Sequence, residues 1–392
     1  MKDVYLDWAA TSPADSEILH KALALSLDAY ANPSSNHWLG KEAKKLLEEA
    51  RTELMRTLGV EGGLLVFTGS GSEADHIPLL ALVGRLNLSG TRKPLHIVVS
   101  AIEHSAIDCQ VRALANLGVQ VSWINPDSRG KIEPAKVLAH LRKETALVSV
   151  MGVNNETGAI QNIAAIGQAI GEATLELGLR KPWFHVDAVQ MLGKLPMHRM
   201  STYVDSFAIS AHKIRGPRGI GALWLSRPLD AFVCGGGQES GIRPGTENLF
   251  GALAFRFAVE KVSESLDTYT LRARQLETRI IEGVSHIQGA FIVPERAPGD
   301  EAYVPSILSI AFPGLGGETM VRALSGRHIA VSTGSACSSN QRHRGRRVLQ
   351  AMGVPDDIAF SAIRVSTGPL TTPEEIDIFL EQAEDLYRKL KT

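Results

Sequence analysis

Short apolar runs alternate with longer segments of helical periodicity through about the first 250 residues of the chain. The apolar runs have the length of single strands and lie at 64–68, 96–101, 120–124, 146–151, 183–188, 206–211 and 221–226. Helix-length segments lie between several of them, at 72–86, 105–117, 134–143 and 163–178. Strands joined in this way by helices are typical of a mainly parallel sheet with helices on both faces.

The pattern changes after about residue 250. A long helical stretch at 251–285 precedes an apolar run at 304–312 and further helix and strand units. This change predicts a second, smaller α/β domain. We therefore expect a large domain at 16–255 and a small domain formed by 1–15 together with 256–392.

Composition and charge exclude several classes of function. Hydrophobic residues make up 44% of the 392 residues and charged residues 21%, which is ordinary for a globular protein. Against 42 acidic side chains there are 41 Lys and Arg, so the net charge of −1 gives no electrostatic case for nucleic acid or an anionic membrane. No apolar run reaches membrane-spanning length, and the first residues lack the pattern of a signal peptide.

The chain has three cysteines, which are too few and too scattered for a disulfide framework or a Cys-x-x-Cys metal site. We therefore expect no metal and a reducing cytoplasm, where a free thiol persists. Cys109 and Cys234 lie within more structured segments and are expected to be structural.

Polar residues follow four of the predicted strands at the point where each strand ends. His104 follows 96–101, Asn155 follows 146–151, Asp187 ends 183–188 and Lys213 follows 206–211. In open α/β sheets, ligands bind outside the carboxyl ends of the strands. The four groups therefore predict one shared site.

The chemistry of Lys213 and Asp187 suggests a cofactor. Burying a lysine at the end of an apolar strand lowers its pKa and makes the amine nucleophilic, so it can bond covalently to pyridoxal phosphate. A carboxylate such as Asp187 is suited to hold the pyridine nitrogen of that cofactor protonated. Taken alone, the two residues are equally compatible with a surface lysine and an unrelated loop aspartate.

Two glycine-containing segments are candidates for phosphate binding. Residues 68–75 follow a predicted strand and open a helix, where free N–H groups bind anions. Ser72 and Asp75 also match a capping box, so an ordinary helix start is the alternative. The glycine-rich segment 235–246 is either a mobile surface loop or a loop that carries Arg243 and Thr246 towards a phosphate.

The other strand-end residues also have two interpretations. His104 is a core or capping histidine, or a ring that stacks on a cofactor and moves protons. Asn155 is a turn residue or a hydrogen-bond partner of the ring hydroxyl, and Gln190 is a second polar contact there or a solvated helix start. Arg364 is a salt-bridge residue or a bidentate clamp for a substrate carboxylate.

Cys337 is the candidate reacting thiol. It lies among small residues at 331–339 and precedes a polar, basic stretch, which is unusual for a core cysteine. The nearby basic residues that favour its thiolate are Arg342, His343, Arg344, Arg346 and Arg347.

With these residues in place, the chain resembles the cysteine desulfurases of the NifS/IscS type, which belong to the class V aminotransferases of PLP fold type I. The resemblance runs nearly end to end. The segments that carry it are 5–11, 32–40, 153–163, 185–190, 210–223, 235–248, 332–339 and 363–372.

The resemblance implies roles for the candidate residues. Lys213 would hold pyridoxal phosphate covalently, Asp187 would contact its ring nitrogen and His104 would stack on the ring. The ring oxygen would be contacted by Asn155 and Gln190. The phosphate would be bound by Gly71, Ser72, Ser210 and His212, with Thr246 supplied by the other subunit of a homodimer.

For the reaction, the resemblance implies conversion of L-cysteine to L-alanine. Cys337 would capture the sulfur as a persulfide, and Arg364 with Asn32 would orient the substrate carboxylate. The acceptor would be an iron–sulfur scaffold, a carrier for tRNA thiolation or a DNA-modification partner. A class V transaminase, a selenocysteine lyase and a non-catalytic scaffold that binds the cofactor are the alternative functions.

Four positions depart from the usual family pattern, namely His76, Val189, Met191 and Pro369. None of them is a predicted catalytic group. They therefore bear on the rate and the choice of acceptor more than on the type of reaction.

Overall fold

The structure is a computed structural model that describes residues 3–85, 94–334 and 346–391. Cys337, Arg342, His343 and Arg344 lie outside the described residues, so their predicted roles stay predictions. Arg346 and Arg347 are described.

The strands alternate with helices along most of the chain. The strands are β1 (Val4–Tyr5), β2 (Leu64–Thr68), β3 (His96–Ser100), β4 (Gln120–Ile124), β5 (Thr145–Ser149), β6 (Trp183–Asp187), β7 (Ser206–Ser210), β8 (Gly221–Leu225), β9 (Phe291–Ile292), β10 (Ile307–Ala311), β11 (Ile329–Ala330) and β12 (Ala362–Ser366). The helices are α1 (Ser16–Asp28), α2 (Trp38–Leu58), α3 (Gly71–Leu80), α4 (Ser105–Asn116), α5 (Pro134–Leu138), α6 (Ile163–Glu176), α7 (Met200–Tyr203), α8 (Leu249–Glu264), α9 (Leu266–His286), α10 (Gly317–Ser325), α11 (Arg347–Ala351), α12 (Asp356–Ser361) and α13 (Pro373–Leu390).

The large sheet has seven strands in the order β2-β8-β7-β6-β5-β3-β4. The pairs from β7 through β4 are parallel, whereas β8 is antiparallel to both of its neighbours. Every residue of β3, β5, β7 and β8 is buried, as is typical of strands covered by helices on both faces. The predicted α/β fold with a mainly parallel sheet is confirmed.

A second core forms around an antiparallel sheet in the order β12-β10-β9 and the parallel pair β1–β11. Its buried side chains include Leu6, Phe312 and Phe379, so the N-terminal residues pack with the C-terminal part of the chain. Helix α8 packs on α1 and α2. The domain limits near residues 15 and 255 stay a prediction.

The predicted helical stretch at 251–285 is two helices, α8 and α9, which meet at Ser265. The Ser265 hydroxyl donates a hydrogen bond to the carbonyl of Lys261 at 2.9 Å. Serine side chains compete in this way with the helical backbone hydrogen bonds. The periodicity predicts both helices but not the break between them.

Candidate active site

A cavity of about 380 Å³ lies at the carboxyl edge of the large sheet. The residues predicted at four strand ends all line it, namely His104, Asn155, Asp187 and Lys213. It is also lined by the predicted cofactor and substrate residues Gly71, Ser72, Gln190, Ser210, His212 and Arg364. The fold thus brings together residues that are almost 300 positions apart in sequence.

Lys213 ends a short 3₁₀ turn directly after β7. Its Nζ donates hydrogen bonds to the carbonyls of Ala9 and Ala10, both at 2.8 Å. The backbone N–H of Ser12 donates to the carbonyl of His212 at 2.8 Å. The N-terminal segment therefore forms a wall of the cavity at Lys213. Sequence reasoning missed this wall, although residues 5–11 carry part of the family resemblance.

Asp187 is a buried carboxyl at the end of β6, and its Oδ1 accepts a hydrogen bond from the N–H of Val189 at 2.9 Å. Burial, together with the neighbouring Asp75, raises the pKa of Asp187 to about 8. Burial likewise raises the pKa of Glu103, which lines the same cavity, to about 8. A cation in the cavity would favour the ionised form of these carboxyls.

Asp75 belongs to a buried polar chain behind Asp187. His185 Nε2 lies 3.2 Å from Asp75 Oδ1, and His185 Nδ1 lies 2.8 Å from the hydroxyl of Ser206. Trp183 Nε1 donates to that hydroxyl at 2.7 Å, which leaves the Ser206 proton for Nδ1 of the histidine. Burial lowers the pKa of His185 to about 4, so the ring is neutral and its Nε2–H donates to Asp75.

His104 is the N-cap of α4, since its Nδ1 accepts a hydrogen bond from the N–H of Ala106 at 3.2 Å. It also lines the cavity, so its capping role is compatible with the predicted cofactor role, which stays a prediction. Burial, together with the charge of Lys213, lowers the pKa of His104 to about 4. The imidazole is therefore neutral near pH 7.

The N-terminus of α3 meets the end of β7 at very short range. A Cβ on Gly71 would lie 2.8 Å from Val189 Cγ2 and 3.3 Å from Ser210 Cβ, so glycine permits this approach. The cap of the helix is Ser70, whose hydroxyl accepts from the N–H of Glu73 at 3.1 Å. The capping box predicted for Ser72 and Asp75 is wrong, because the Asp75 side chain is buried against His185 instead.

The glycine-rich loop at 235–248 is held against the start of α3. Arg243 Nε donates to Glu73 Oε1 at 2.9 Å, and the other oxygen of Glu73 accepts from the N–H of Gly69. Thr246 is exposed and does not line the cavity of its own chain. Its predicted role in the other subunit of a dimer stays a prediction.

Asn32 lies outside the cavity. It is exposed, and its Oδ1 accepts a hydrogen bond from the N–H of Ser34 at 2.9 Å. Its predicted contact with the substrate carboxylate therefore also stays a prediction.

Arg364 lines the cavity from β12 and is only 3% exposed. Its Nη2 contacts Asp7 Oδ1 at 2.7 Å, and its Nη1 donates to the carbonyl of Asn155 at 2.9 Å. Its Nε is buried and has no hydrogen-bond partner within the described ranges. The predicted contact of Arg364 with a substrate carboxylate stays a prediction.

Arg347 is a cavity residue that sequence reasoning placed only in a basic stretch. Its two Nη atoms donate to the carbonyls of Ala101 and Glu103, and its Nε lies 3.7 Å from Asp108 Oδ1. Gly334 lines the cavity as well. Gly334 and Arg347, which lie near the two ends of the segment 335–345, thus both line the cavity.

Cys109 and Cys234 are both exposed, and the prediction that they are structural stays a prediction. Cys109 follows the buried pair Ile107 and Asp108 on α4, so it falls on the outer face of the helix and lines the cavity. Sequence context does not show which helical face is buried in so short a segment.

Among the residues that the structure describes, no group of three or more His, Cys, Asp or Glu side chains could hold a metal ion. In the same part of the chain, no helix has both the length and the apolar character needed to cross a membrane.

A protein-family model, "Aminotransferase class-V", matches residues 4–379. The chain belongs to the class-V aminotransferase family. It is 36% identical over 395 residues to "Cysteine desulfurase IscS" of Proteus mirabilis, with 99% of this chain and 93% of that protein covered. It is 37% identical over 399 residues, with the same coverage, to "Cysteine desulfurase IscS" of Pectobacterium carotovorum.

Solved structures of similar proteins show the same fold. A "NIFS-LIKE PROTEIN" superposes with a TM-score of 0.88 at 32% identity, covering 99% of this chain and all of that one. DndA from Streptomyces lividans superposes with a TM-score of 0.72 at 31% identity, covering 92% of this chain and 99% of that one. The resemblance inferred from sequence motifs is confirmed.

Class-V aminotransferases and cysteine desulfurases depend on pyridoxal phosphate, which confirms the predicted cofactor. The cavity fits this group. Gln190 Oε1 and Ser210 Oγ are buried at the cavity without hydrogen-bond partners in the described part of the chain. Buried polar atoms normally have partners, and a ring oxygen and a phosphate would supply them. Gly71 lets a phosphate approach the free N–H groups of α3.

Proposed function

We propose that this chain is a PLP-dependent cysteine desulfurase that converts L-cysteine to L-alanine and holds the sulfur as a persulfide on Cys337. The observation that carries the proposal is the shared cavity. It joins Lys213 and Asp187 to Gly334 and Arg347, which lie near the two ends of the segment that contains Cys337. The relatives named cysteine desulfurase match nearly the whole chain.

When bound, pyridoxal phosphate supplies a ring that accepts electrons from the α-carbon of an amino acid. Lys213 would hold the group covalently and then carry the substrate α-proton, since its Nζ lies at the carboxyl edge of the sheet. Asp187 would sit beside the ring nitrogen, where a positive charge restores its carboxylate. The neutral His104 would pack on the ring and exchange protons with the substrate.

Sulfur transfer would occur between two sulfur atoms. The thiolate of Cys337 attacks the substrate sulfur, so an S–S bond forms and the Cβ–S bond of the substrate breaks. The electron pair of that bond stays with the substrate carbon, which takes up a proton and becomes the methyl group of alanine. The cysteine sulfur is thereby oxidised to a persulfide, and the substrate carbon is reduced.

Arg364 would orient the substrate through its carboxylate. The substrate carboxylate would replace Asp7 at the guanidinium of Arg364. The guanidinium would stay paired, because one carboxylate takes the place of another. The N-terminal segment that carries Asp7, Ala9 and Ala10 would then respond to substrate binding.

The proposed partners are L-cysteine, a second copy of this chain and a protein that accepts sulfur. A homodimer would bring the exposed Thr246 to the partner's phosphate site. The acceptor would be an iron–sulfur scaffold or a sulfur carrier for tRNA thiolation, and the cytoplasm is the proposed location.

The test is product analysis with the cofactor-loaded protein, L-cysteine and a thiol reductant. We expect alanine and sulfide to accumulate in equal amounts. Formation of a keto acid would instead identify a transaminase, and strong preference for selenocysteine would identify a selenocysteine lyase. Cofactor binding without turnover of either amino acid would leave a scaffold role and contradict the proposal.

Asp187→Asn is expected to stabilise the cofactor-free protein and to slow the loaded enzyme about a hundredfold. The pKa of Asp187 is about 8 in the folded protein and ordinarily 3.8. Its contribution to stability is therefore complete at pH values below 3.8 and is lost as the pH rises towards 8. The asparagine side chain does not ionise, so the variant does not lose stability in this way as the pH rises. It carries no negative charge, however, to balance a positive ring nitrogen. Thermal unfolding from pH 6 to 9 and alanine release measure the two effects.

The control for that substitution is Asp205→Asn. Asp205 Oδ2 also accepts a backbone hydrogen bond, from Phe184 at 2.9 Å, but Asp205 pairs with Lys181 outside the cavity. It should bring neither the stability gain nor the loss of rate. Equal stability of wild type and Asp187→Asn at pH 8 would show that Asp187 ionises without cost.

A further inference from the structure

A second cavity, of about 100 Å³, adjoins the site on another side of Lys213. We call it the Lys194 cavity, and Trp8, Lys194, Val262, Tyr269 and Thr367 line it together with Lys213. Lys213 therefore lines both cavities. None of the roles proposed above uses the Lys194 cavity.

Lys194 is the cation of this cavity that lacks an anion. Its ammonium has no hydrogen bond or ion pair within residues 3–85, 94–334 and 346–391. Of the other cations in the lining, Arg215 and Lys261 each pair with Asp15 at 3.2 Å, and Lys213 donates to the carbonyls of Ala9 and Ala10. Burial, with smaller effects of the charges of Lys213 and Arg364, lowers the pKa of Lys194 to about 7. An unpaired cation in such surroundings is costly until a ligand supplies the opposite charge.

Thr367 contributes a hydroxyl group to the lining of the same cavity. Thr367 is 2% exposed, and its Oγ1 has no hydrogen-bond partner in the described part of the chain. The hydroxyl of Tyr269 donates to the backbone carbonyl of Thr367 at 3.3 Å, which places the tyrosine beside it. The remaining lining is largely apolar and includes Trp8, Ile18, Leu192, Ile214, Ala258 and Val262, together with the two serines Ser12 and Ser265.

We propose that the Lys194 cavity binds a small monocarboxylate with a short apolar chain. The carboxylate would accept hydrogen bonds from Lys194 and Thr367, while the chain would pack against the apolar walls. The volume is smaller than that of a dry cavity of about 150 Å³ that holds benzene, which limits the chain to a few carbons. The carboxylate in the lining, Asp15, already pairs with two cations. It would therefore not bind the ammonium group of an amino acid, which favours a simple carboxylic acid as the ligand.

A carboxylate bound in the Lys194 cavity would affect the reaction through its negative charge. An anion beside Lys194 also lies near Lys213, and an opposite charge favours the protonated form of an amine. This coupling rests on the proposed function, whereas binding of the acid does not.

The test uses the cofactor-loaded protein and butyrate, followed by ligand-observed NMR and titration calorimetry. Lys194→Met should weaken binding about tenfold or more, as expected for loss of a charged hydrogen-bond partner, and Thr367→Val should weaken it by a smaller factor. Lys45→Met, which removes an exposed lysine near Glu49, should leave binding unchanged. Arg364→Lys, in the cofactor cavity, should also leave it unchanged.

Thermal unfolding gives a second readout that does not need activity. Lys194→Met should raise the Tm of the protein without butyrate, because an apolar chain fits the largely apolar lining better than a half-buried charge without a partner among the described residues. Butyrate should raise the Tm of wild type but not that of the variant.

Three results would overturn the proposal. Wild type could fail to bind butyrate at about 10 mM, a concentration at which millimolar ligands are detected. Binding could be lost in Arg364→Lys and kept in Lys194→Met, which would place the acid in the cofactor cavity. Inorganic phosphate could compete with butyrate at equal concentration, which would show an unselective anion site. Each of these results leaves the desulfurase proposal to its own test.

Discussion

Replacing Cys337 by alanine is expected to reduce persulfide formation and alanine release to background while the cofactor stays bound. The cofactor contacts proposed here come from Lys213, Asp187 and the start of α3, so removing one thiol leaves them in place. Without the thiolate, no group is assigned to take the substrate sulfur. Mass spectrometry after incubation with L-cysteine measures the persulfide, and the absorbance of the desalted protein measures cofactor retention.

The chain offers two matched controls for this substitution. Cys109 and Cys234 are both exposed, and Cys109 lines the cavity. Cys109→Ala and Cys234→Ala should keep both the persulfide and the turnover. If Cys337→Ala still accumulates a persulfide on Cys109, the sulfur is captured by the α4 cysteine and the assignment of Cys337 is wrong.

Lys213→Ala is expected to lower alanine release by at least about a thousandfold, because one side chain both holds the cofactor and carries the α-proton. The variant should also lose covalently held cofactor on desalting, although it can still bind the cofactor reversibly through the phosphate site. Alanine release, the absorbance spectrum and the cofactor content after desalting give the three measurements.

Lys131→Ala is the matched control, since it removes another partly buried lysine that donates to two backbone carbonyls. Lys131 Nζ contacts the carbonyls of Ile160 and Ala302, outside the cofactor cavity. Its loss should lower stability but keep the rate per folded enzyme. A Lys213→Ala enzyme with more than a tenth of wild-type turnover would contradict the proposed role of Lys213.

The apolar runs predicted the strands of the large sheet to within two residues. The run at 146–151 corresponds to β5, Thr145–Ser149, and the buried Val150 and Met151 continue the apolar pattern beyond the strand. A hydrophobic pattern reports burial, whereas a strand ends where its regular pairing ends. The position of polar residues just beyond such runs is therefore more reliable than the exact strand limit.

The buried charges were beyond the reach of sequence reasoning. Nothing in the local sequence shows that Asp75 lies against His185, or that Glu103 shares a cavity with Asp187. Their raised pKa values come mainly from burial, and burial of a polar residue depends on what packs over it. The Ser72–Asp75 capping box failed for the same reason.

The sequence by itself determined the order of strands and helices, the family and the set of groups at the strand ends. Parallel strands joined by helices bring their carboxyl ends to one edge, so His104, Asn155, Asp187 and Lys213 meet once the strands form. Only the tertiary structure decided that the N-terminal segment covers Lys213 and that Arg364 pairs with Asp7, 357 positions away. Contacts over such distances have no local signature, because they arise when separately formed elements pack together.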